Sequence, residues 1–275
     1  MKVGIIGAGV MAEAMIAGLL AEQVVAPSNL VASHPRSERR TLLAERHAIR
    51  VVELNAEAVA NADIVVLAVK PQMLGRVMRE LAATLRPEQV VLSIVAGATL
   101  RALATGLDHE AVVRAMPNTP AQIRRGITVW AASPACTPAQ HALVQAVLHA
   151  LGDERQVADE EFVAMATALS GTGPTYLFAV MEALIDAGVH MGFPRELAHD
   201  LVAATLLGSA EFASRSELHP AQLRNAVTSP GGTSAAAIYE LEKGRLRTVL
   251  SDAVWAAYRR TQELGERLER ATGDG

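Results

Sequence analysis

The stretch that most constrains this chain is Lys2–Ala14, KVGIIGAGVMAEA. A short apolar run, Val3–Ile6, gives way to Gly7-Ala8-Gly9-Val10-Met11-Ala12, and a helix-like stretch follows through Leu20. This is strand, glycine turn and helix in the form G-x-G-x-x-A. Gly7 permits the tight turn, Gly9 lets a pyrophosphate approach the backbone, and small Ala12 lets the helix pack close to the strand. The anion would sit on the free N–H groups of the helix start, where the helix dipole also favours negative charge. Gly7, Gly9, Val10 and Met11 are therefore the first candidate dinucleotide-binding residues. Glycine also serves plain strand-to-helix turns, so the pattern needs support from the rest of the chain.

Asn29–Ser33 (NLVAS) reads as a second strand. Dinucleotide domains select their cofactor at the end of this strand, where an Asp or Glu would bind a ribose 2′-OH and repel a 2′-phosphate. Here the segment is Ser33-His34-Pro35-Arg36-Ser37, followed by Arg39 and Arg40. It carries no acid, and hydroxyls with an arginine suit a 2′-phosphate, because guanidinium binds phosphate through paired donors. The reading favours NADPH, with NADH possible. The alternative is a solvated basic turn opening the next helix.

Further on, Val51 and Val52 make a short strand and Asn55 opens a helix to about Asn61. Asp63–Val69 (DIVVLAV) is nearly all apolar, as expected of a parallel strand buried on both faces. Its end, Ala68-Val69-Lys70-Pro71, lies where ligands bind in such sheets. A helix is expected over Gln72–Leu85, strands over Gln89–Val95, Val112–Met116 and Gly126–Ala132, and a helix over Pro138–Leu151. The strand at Val112–Met116 ends in Pro117-Asn118, again a carboxyl end. The alternation predicts a doubly wound α/β domain with a mainly parallel sheet over residues 1–158.

From about Asp159 strand-like runs disappear. Glu161–Leu169, Thr175–Met191, Arg195–Ser214, Pro220–Val227, Ser234–Lys243 and Leu246–Arg270 read as helices, broken at Gly171–Pro174, Gly192–Pro194, Leu218–Pro220, Ser229–Gly232 and Gly244. Residues 159–275 are therefore expected to form an all-α domain, with a frayed tail at Ala271–Gly275. Tyr176–Met181 (YLFAVM) is apolar all round and should be buried on more than one side. A domain this small has too few partners for it, which points to an interface between copies of the chain.

Composition excludes several classes. A net charge of −4 gives no whole-chain reason to bind nucleic acid or acidic membranes. No uncharged run approaches the roughly 18–20 apolar residues of a membrane span, and the N-terminus has no signal-peptide pattern. Cys136 is the only cysteine, so no intrachain disulfide can form and a reducing, cytoplasmic setting is expected. The eight histidines show no spacing with Cys, Asp or Glu that reads as a metal site.

The most informative segment of the second half is Val227-Thr228-Ser229-Pro230-Gly231-Gly232-Thr233-Ser234, leading into AAAIYELEK. A proline–glycine loop opening into a helix with hydroxyls at its start gathers free N–H donors, a positive dipole end and O–H groups. Such a spot suits a small carboxylate. Simple capping by Thr233 or Ser234 is the other reading, and the residues alone do not separate the two.

Four segments together resemble the pyrroline-5-carboxylate reductase family: Val3–Ala12 (VGIIGAGVMA), Arg114–Ala121 (RAMPNTPA), Ala168–Tyr176 (ALSGTGPTY) and Val227–Ser234 (VTSPGGTS). Glu217 and His219–Leu223 fit the lead-in to the last motif, and the similarity spans essentially the whole chain. The resemblance implies an N-terminal Rossmann domain and a C-terminal helical domain that dimerises. It implies NAD(P)H-dependent reduction of the cyclic imine L-1-pyrroline-5-carboxylate to L-proline. The substrate carboxylate would rest on Ser229, Gly231, Gly232, Thr233 and Ser234, with the Ser234 hydroxyl bonded to the imine nitrogen and Glu217 a supporting acid. The nicotinamide would lie by Lys70-Pro71 and Pro117-Asn118, with Asn55 and Ser33–Arg36 around the adenosine phosphate.

Two departures bear on the substrate. The family has threonine where this chain has Ser234, which loses the methyl that restricts its rotamer, and Thr172 and Thr175 stand where serine and alanine are commoner. A reductase of a related cyclic ketimine, such as piperideine-2-carboxylate, is thus a competing reading. A 3-hydroxy acid dehydrogenase of similar plan would need a lysine on the helix after its glycine turn, but Gly171–Gly173 leads into Pro174-Thr175-Tyr176-Leu177-Phe178. A nonenzymatic NADP-binding regulator would not need the Ser229–Ser234 loop.

Overall fold

The computed structural model describes residues 1–273, and the side chains of residues 1–270. The chain divides into two compact units: Met1–Thr172 with Ala256–Gly275, and Gly173–Trp255. The helical part begins near residue 160, but its first helix and the residues from Ala256 belong to the unit that holds the sheet.

Among the described residues the first unit holds one eight-stranded sheet: β1 (Val3–Ile6), β2 (Leu30–Ser33), β3 (Arg50–Val52), β4 (Ile64–Leu67), β5 (Val90–Ser93), β6 (Val112–Met116), β7 (Gly126–Ala132) and β8 (Gly152–Gln156). The order is β3-β2-β1-β4-β5-β6-β7-β8. All neighbours run parallel except β6 and β7. The helices between them are α1 (Val10–Ala21), α2 (Ser37–His47), α3 (Asn55–Val59), α4 (Pro71–Leu81), α5 (Leu100–Leu107) and α6 (Pro138–His149).

Alternation along the central strands explains why they read as unbroken apolar runs. In β4, Ile64 and Val66 join one core with Met15, Ile16, Leu19 and Leu148, while Val65 and Leu67 join the other with Leu74, Met78 and Leu103. Both faces of a parallel sheet are covered by helices, so both sets of side chains leave water. Each large aliphatic side chain so buried contributes about 1.5–3 kcal/mol.

The structure departs from the sequence expectations in several places. β7 is antiparallel to β6, because only nine residues, 117–125, link the strands, and a parallel crossover needs about a dozen or more. β8 and α5 lie in stretches where the sequence pattern marks no element. The helix expected over Gln72–Leu85 is α4, which starts at Pro71 and stops at Leu81. The break expected at Gly171–Pro174 shrinks to Thr172: a π-helical turn over Thr167–Gly171 follows α7 (Glu161–Ala166), and α8 (Gly173–His190) starts at once.

The second unit holds α8, α9 (Arg195–Ser214), α10 (Pro220–Ala226), α11 (Thr233–Lys243) and the first part of α12 (Leu246–Gly273). Within one chain the apolar segment Tyr176–Met181 is left partly uncovered, as a segment that packs against another copy would be. Leu177 and Phe178 are 61% and 63% exposed, and Leu207, Phe212, Tyr239 and Trp255 are exposed too. Of the tail Ala271–Gly275, residues 274–275 and the side chains of 271–273 lie outside the described residues. Among the described residues no helix is long and apolar enough to cross a membrane.

Candidate active site

The strand order reverses at β1, which pairs with β2 on one side and β4 on the other. In open α/β sheets the crevice beyond the carboxyl ends at this point is where ligands bind. Gly7 follows β1 directly, its N–H donating to Ser33 O at 3.2 Å. Its φ is +89°, and a Cβ there would stand 2.7 Å from Val69 Cγ1 and 2.9 Å from Ala68 O. Position 7 therefore requires glycine for conformation and for space. Gly9 differs: it is the N-cap of α1 at φ −78°, no side chain caps the helix, and a Cβ would meet nothing within 4 Å. Open space over uncapped N–H groups fits an approaching pyrophosphate. Val10, the first helical residue, is 66% exposed, and Met11 is half-buried.

The turn after β2 separates the three arginines. Arg40 donates to His34 O and Pro35 O and pairs with Glu53 at 2.9 Å. Arg39 bonds Ala8 O and Glu13. The Arg36 side chain has no partner among the described residues. The Arg36 N–H donates to His34 Nδ1 at 3.1 Å. Burial, and then the charges of Arg36, Arg39 and Arg40, hold His34 below the usual histidine value, the backbone bond opposing them. Ser33 is fully buried and donates to Asn55 Oδ1 at 2.7 Å, while Asn55 Nδ2 donates to Glu80 at 3.0 Å. Ser33 thus orients Asn55. Glu80, on α4, has no role in the sequence analysis, because nothing in its spacing marks it.

At the end of β4, Ala68 and Val69 are half-buried and Lys70 is exposed as the N-cap of α4, with Pro71 at its first position. Beyond β6, Pro117 is buried and Asn118 accepts from Ile127 N at 3.0 Å through Oδ1. Asn118 therefore pins the turn into β7 as well as lying at a carboxyl end.

In the second unit the Ser229–Ser234 loop enters α11. Gly231 has φ +70°, and Gly232 is the N-cap, with its N–H on Ser229 O at 3.0 Å. A Cβ at Gly232 would stand 2.5 Å from Ser229 Oγ. No side chain caps α11, so neither Thr233 nor Ser234 closes the helix. Among the described residues the hydroxyls of Ser229, Thr233 and Ser234 have no hydrogen-bond partner. Thr228 is spent on Arg224 O at 2.7 Å. Glu217 is exposed before α10, and among the described residues no hydrogen bond or ion pair links it to the loop. Thr172 closes the π-turn by donating to Thr167 O at 2.8 Å, so its hydroxyl is structural; Thr175 is exposed.

The strand order and the glycine turn are those of a Rossmann-type dinucleotide-binding protein. Residues 160–264 match the family model for pyrroline-5-carboxylate reductase dimerisation, and residues 2–97 that for NADP oxidoreductase, coenzyme F420-dependent. A pyrroline-5-carboxylate reductase of Synechocystis sp. is 43% identical over 97% of this chain and 99% of its own. The structure of such a reductase from Coxiella burnetii superposes with a TM-score of 0.87 at 35% identity, covering 96% of this chain and 98% of that one. A Plasmodium falciparum pyrroline carboxylate reductase with NADP bound gives 0.89 at 30% identity, with the same coverage. The chain belongs to the pyrroline-5-carboxylate reductase family.

Proposed function

We propose that this protein reduces L-1-pyrroline-5-carboxylate to L-proline with NADPH, NADH being the poorer donor. The observation that carries the substrate half is the start of α11, which has uncapped N–H groups and, at Ser229, Thr233 and Ser234, hydroxyls without a partner among the described residues. Such a helix start binds a carboxylate through neutral donors and a helix dipole. The unpartnered Arg36 and the acid-free end of β2 support NADPH.

A bound dinucleotide would supply a hydride from its nicotinamide ring. The protonated imine is already a strong electrophile, so the chain needs no nucleophile. Hydride adds to the C=N carbon, the π electrons move to nitrogen, and a neutral secondary amine results. Ser229, Gly231, Gly232, Thr233 and Ser234 fix the carboxylate, and the Ser234 hydroxyl orients the ring nitrogen or relays a proton to it. Glu217 acts as a supporting acid. Gly7, Gly9, Val10 and Met11 carry the pyrophosphate. Ser33, His34, Arg36 and Asn55 would hold the adenosine phosphate, and Ala68–Pro71 with Pro117 and Asn118 would hold the nicotinamide.

Self-association belongs to the same reading. Exposed apolar side chains of α8 and α9, among them Leu177, Phe178, Leu207 and Phe212, would be covered by a second copy. A cytoplasmic setting rests on the single cysteine. Ser234→Ala tests the mechanism: turnover should fall by about 10²-fold or more while NADPH still binds, and an equally active variant would remove Ser234 from it.

A further inference from the structure

The glycine turn is held from behind by a side chain whose place in the sequence suggests only a basic helix surface. Arg39, in the first turn of α2, donates Nε to Ala8 O at 2.8 Å and Nη2 to Gly9 O at 3.5 Å. The same Nη2 lies 2.6 Å from Glu13 Oε2. These two carbonyls belong to the peptide groups whose N–H groups are those of Gly9 and Val10. A trans peptide is planar, with its N–H pointing opposite to its C=O. The 2.8 Å bond to Ala8 O therefore turns the Gly9 N–H away from α2, while Gly9 O already accepts from Glu13 N at 2.9 Å and takes only a long second contact from Arg39.

Glu13 adds a second constraint. It sits in the first turn of α1, where a bare carboxylate would favour the helix dipole but repel an anion at the helix start. Arg39 at 2.6 Å and Arg46 at 2.5 Å pair with it, and His47 Nε2 lies 3.5 Å away. Burial alone would raise the Glu13 pKa, but the bonds from Arg39 and Arg46 outweigh it and keep the group ionised. The Arg39–Glu13 pair is half-buried, so solvent screens it less than an exposed bridge.

We propose that Arg39 is a positioning residue of the cofactor site, which aims the Gly9 amide at the pyrophosphate and shields it from Glu13. The proposal rests on the dinucleotide reading of the glycine turn. Pyrophosphate is common to NADPH and NADH, so the effect of Arg39 falls on both cofactors alike. Arg36 would affect NADPH alone.

The test compares R39Q, R39K and R36A with the parent protein, measuring Kd for NADPH and NADH by fluorescence titration, KM and kcat by steady state, and Tm. R39Q should weaken both cofactors by about tenfold, the loss of roughly one charge-assisted hydrogen bond, with kcat at saturation within about twofold. R39K keeps the charge but not the fork and should fall between R39Q and the parent; it carries the test alone should R39Q not fold. An R39Q protein with lowered Tm and unchanged affinities would make Arg39 merely structural and overturn the proposal. Loss confined to NADPH would make it a 2′-phosphate ligand and overturn it too. A parent protein that binds neither cofactor would overturn the dinucleotide reading itself, and that result is distinct from the other two.

Discussion

Two substitutions in the glycine turn should separate folding from cofactor binding. In Gly7→Ala the new Cβ lies 2.7 Å from Val69 Cγ1 and 2.9 Å from Ala68 O, at a φ of +89°. The left-handed backbone costs roughly 1–2 kcal/mol, and relieving the overlap adds about 1–3 kcal/mol. A total of about 2–5 kcal/mol should lower Tm by roughly 4–20 °C in a chain of this size. In Gly9→Ala the φ of −78° is ordinary and nothing lies within 4 Å of the new methyl. Alanine is a poorer N-cap by up to about 1 kcal/mol, and the stiffer unfolded chain returns roughly 0.4–1 kcal/mol, so Tm should move by no more than about 2 °C. Yet the methyl occupies the space a pyrophosphate must enter. Losing two charge-assisted N–H···O bonds at about 1.5–3 kcal/mol each would weaken NADPH and NADH by about 10²- to 10⁴-fold. Thermal denaturation and fluorescence titration of the same preparations give both numbers. A Gly9→Ala protein that binds NADPH like the parent refutes the reasoning, and so does one that melts as early as Gly7→Ala.

Three further outcomes are expected. Arg36→Ala should raise KM for NADPH by about tenfold and leave NADH unchanged, since Arg39 and Arg40 are already engaged and cannot replace it; steady-state kinetics with each donor decides. His34 is held below the usual value of 6.5, so the unfolded chain binds its proton first. Stability from this group is full above that value and is lost as pH falls through it. Urea midpoints at pH 8 and pH 5.5 should therefore differ less in His34→Gln than in the parent. Phe178→Glu puts a charge on an apolar helix face that is 63% exposed in one chain and should shift the mass in light scattering toward the monomer.

What the sequence discloses follows its physics. β6, β7 and α9 have the bounds their sequence patterns predict, because long apolar alternation or a proline start marks them without help from the rest of the fold. β8, Gly-Asp-Glu-Arg-Gln, escapes a pattern search since it is a charged edge strand, and edge strands carry polar side chains to discourage further pairing. α5 escapes it because its eight residues are short for a periodic pattern. The reversed direction of β7 is legible in principle from the short link before it. At the site, Gly7 and Gly231 are readable because a positive φ favours glycine there, and Gly9 and the hydroxyls of the Ser229–Ser234 loop because they stand within short motifs. Arg39 and Glu80 are not, since each acts on residues roughly 25–30 positions away and neither spacing carries a local signature.

The central claim is the reduction itself, and the most direct measurement is steady-state oxidation of NADPH and NADH with L-1-pyrroline-5-carboxylate, with piperideine-2-carboxylate in parallel. Rapid turnover of the five-membered imine, faster with NADPH, is the predicted result. Turnover of the six-membered imine alone would contradict the substrate, and no turnover of either, with cofactor still bound tightly, would contradict the catalytic reading of the Ser229–Ser234 loop.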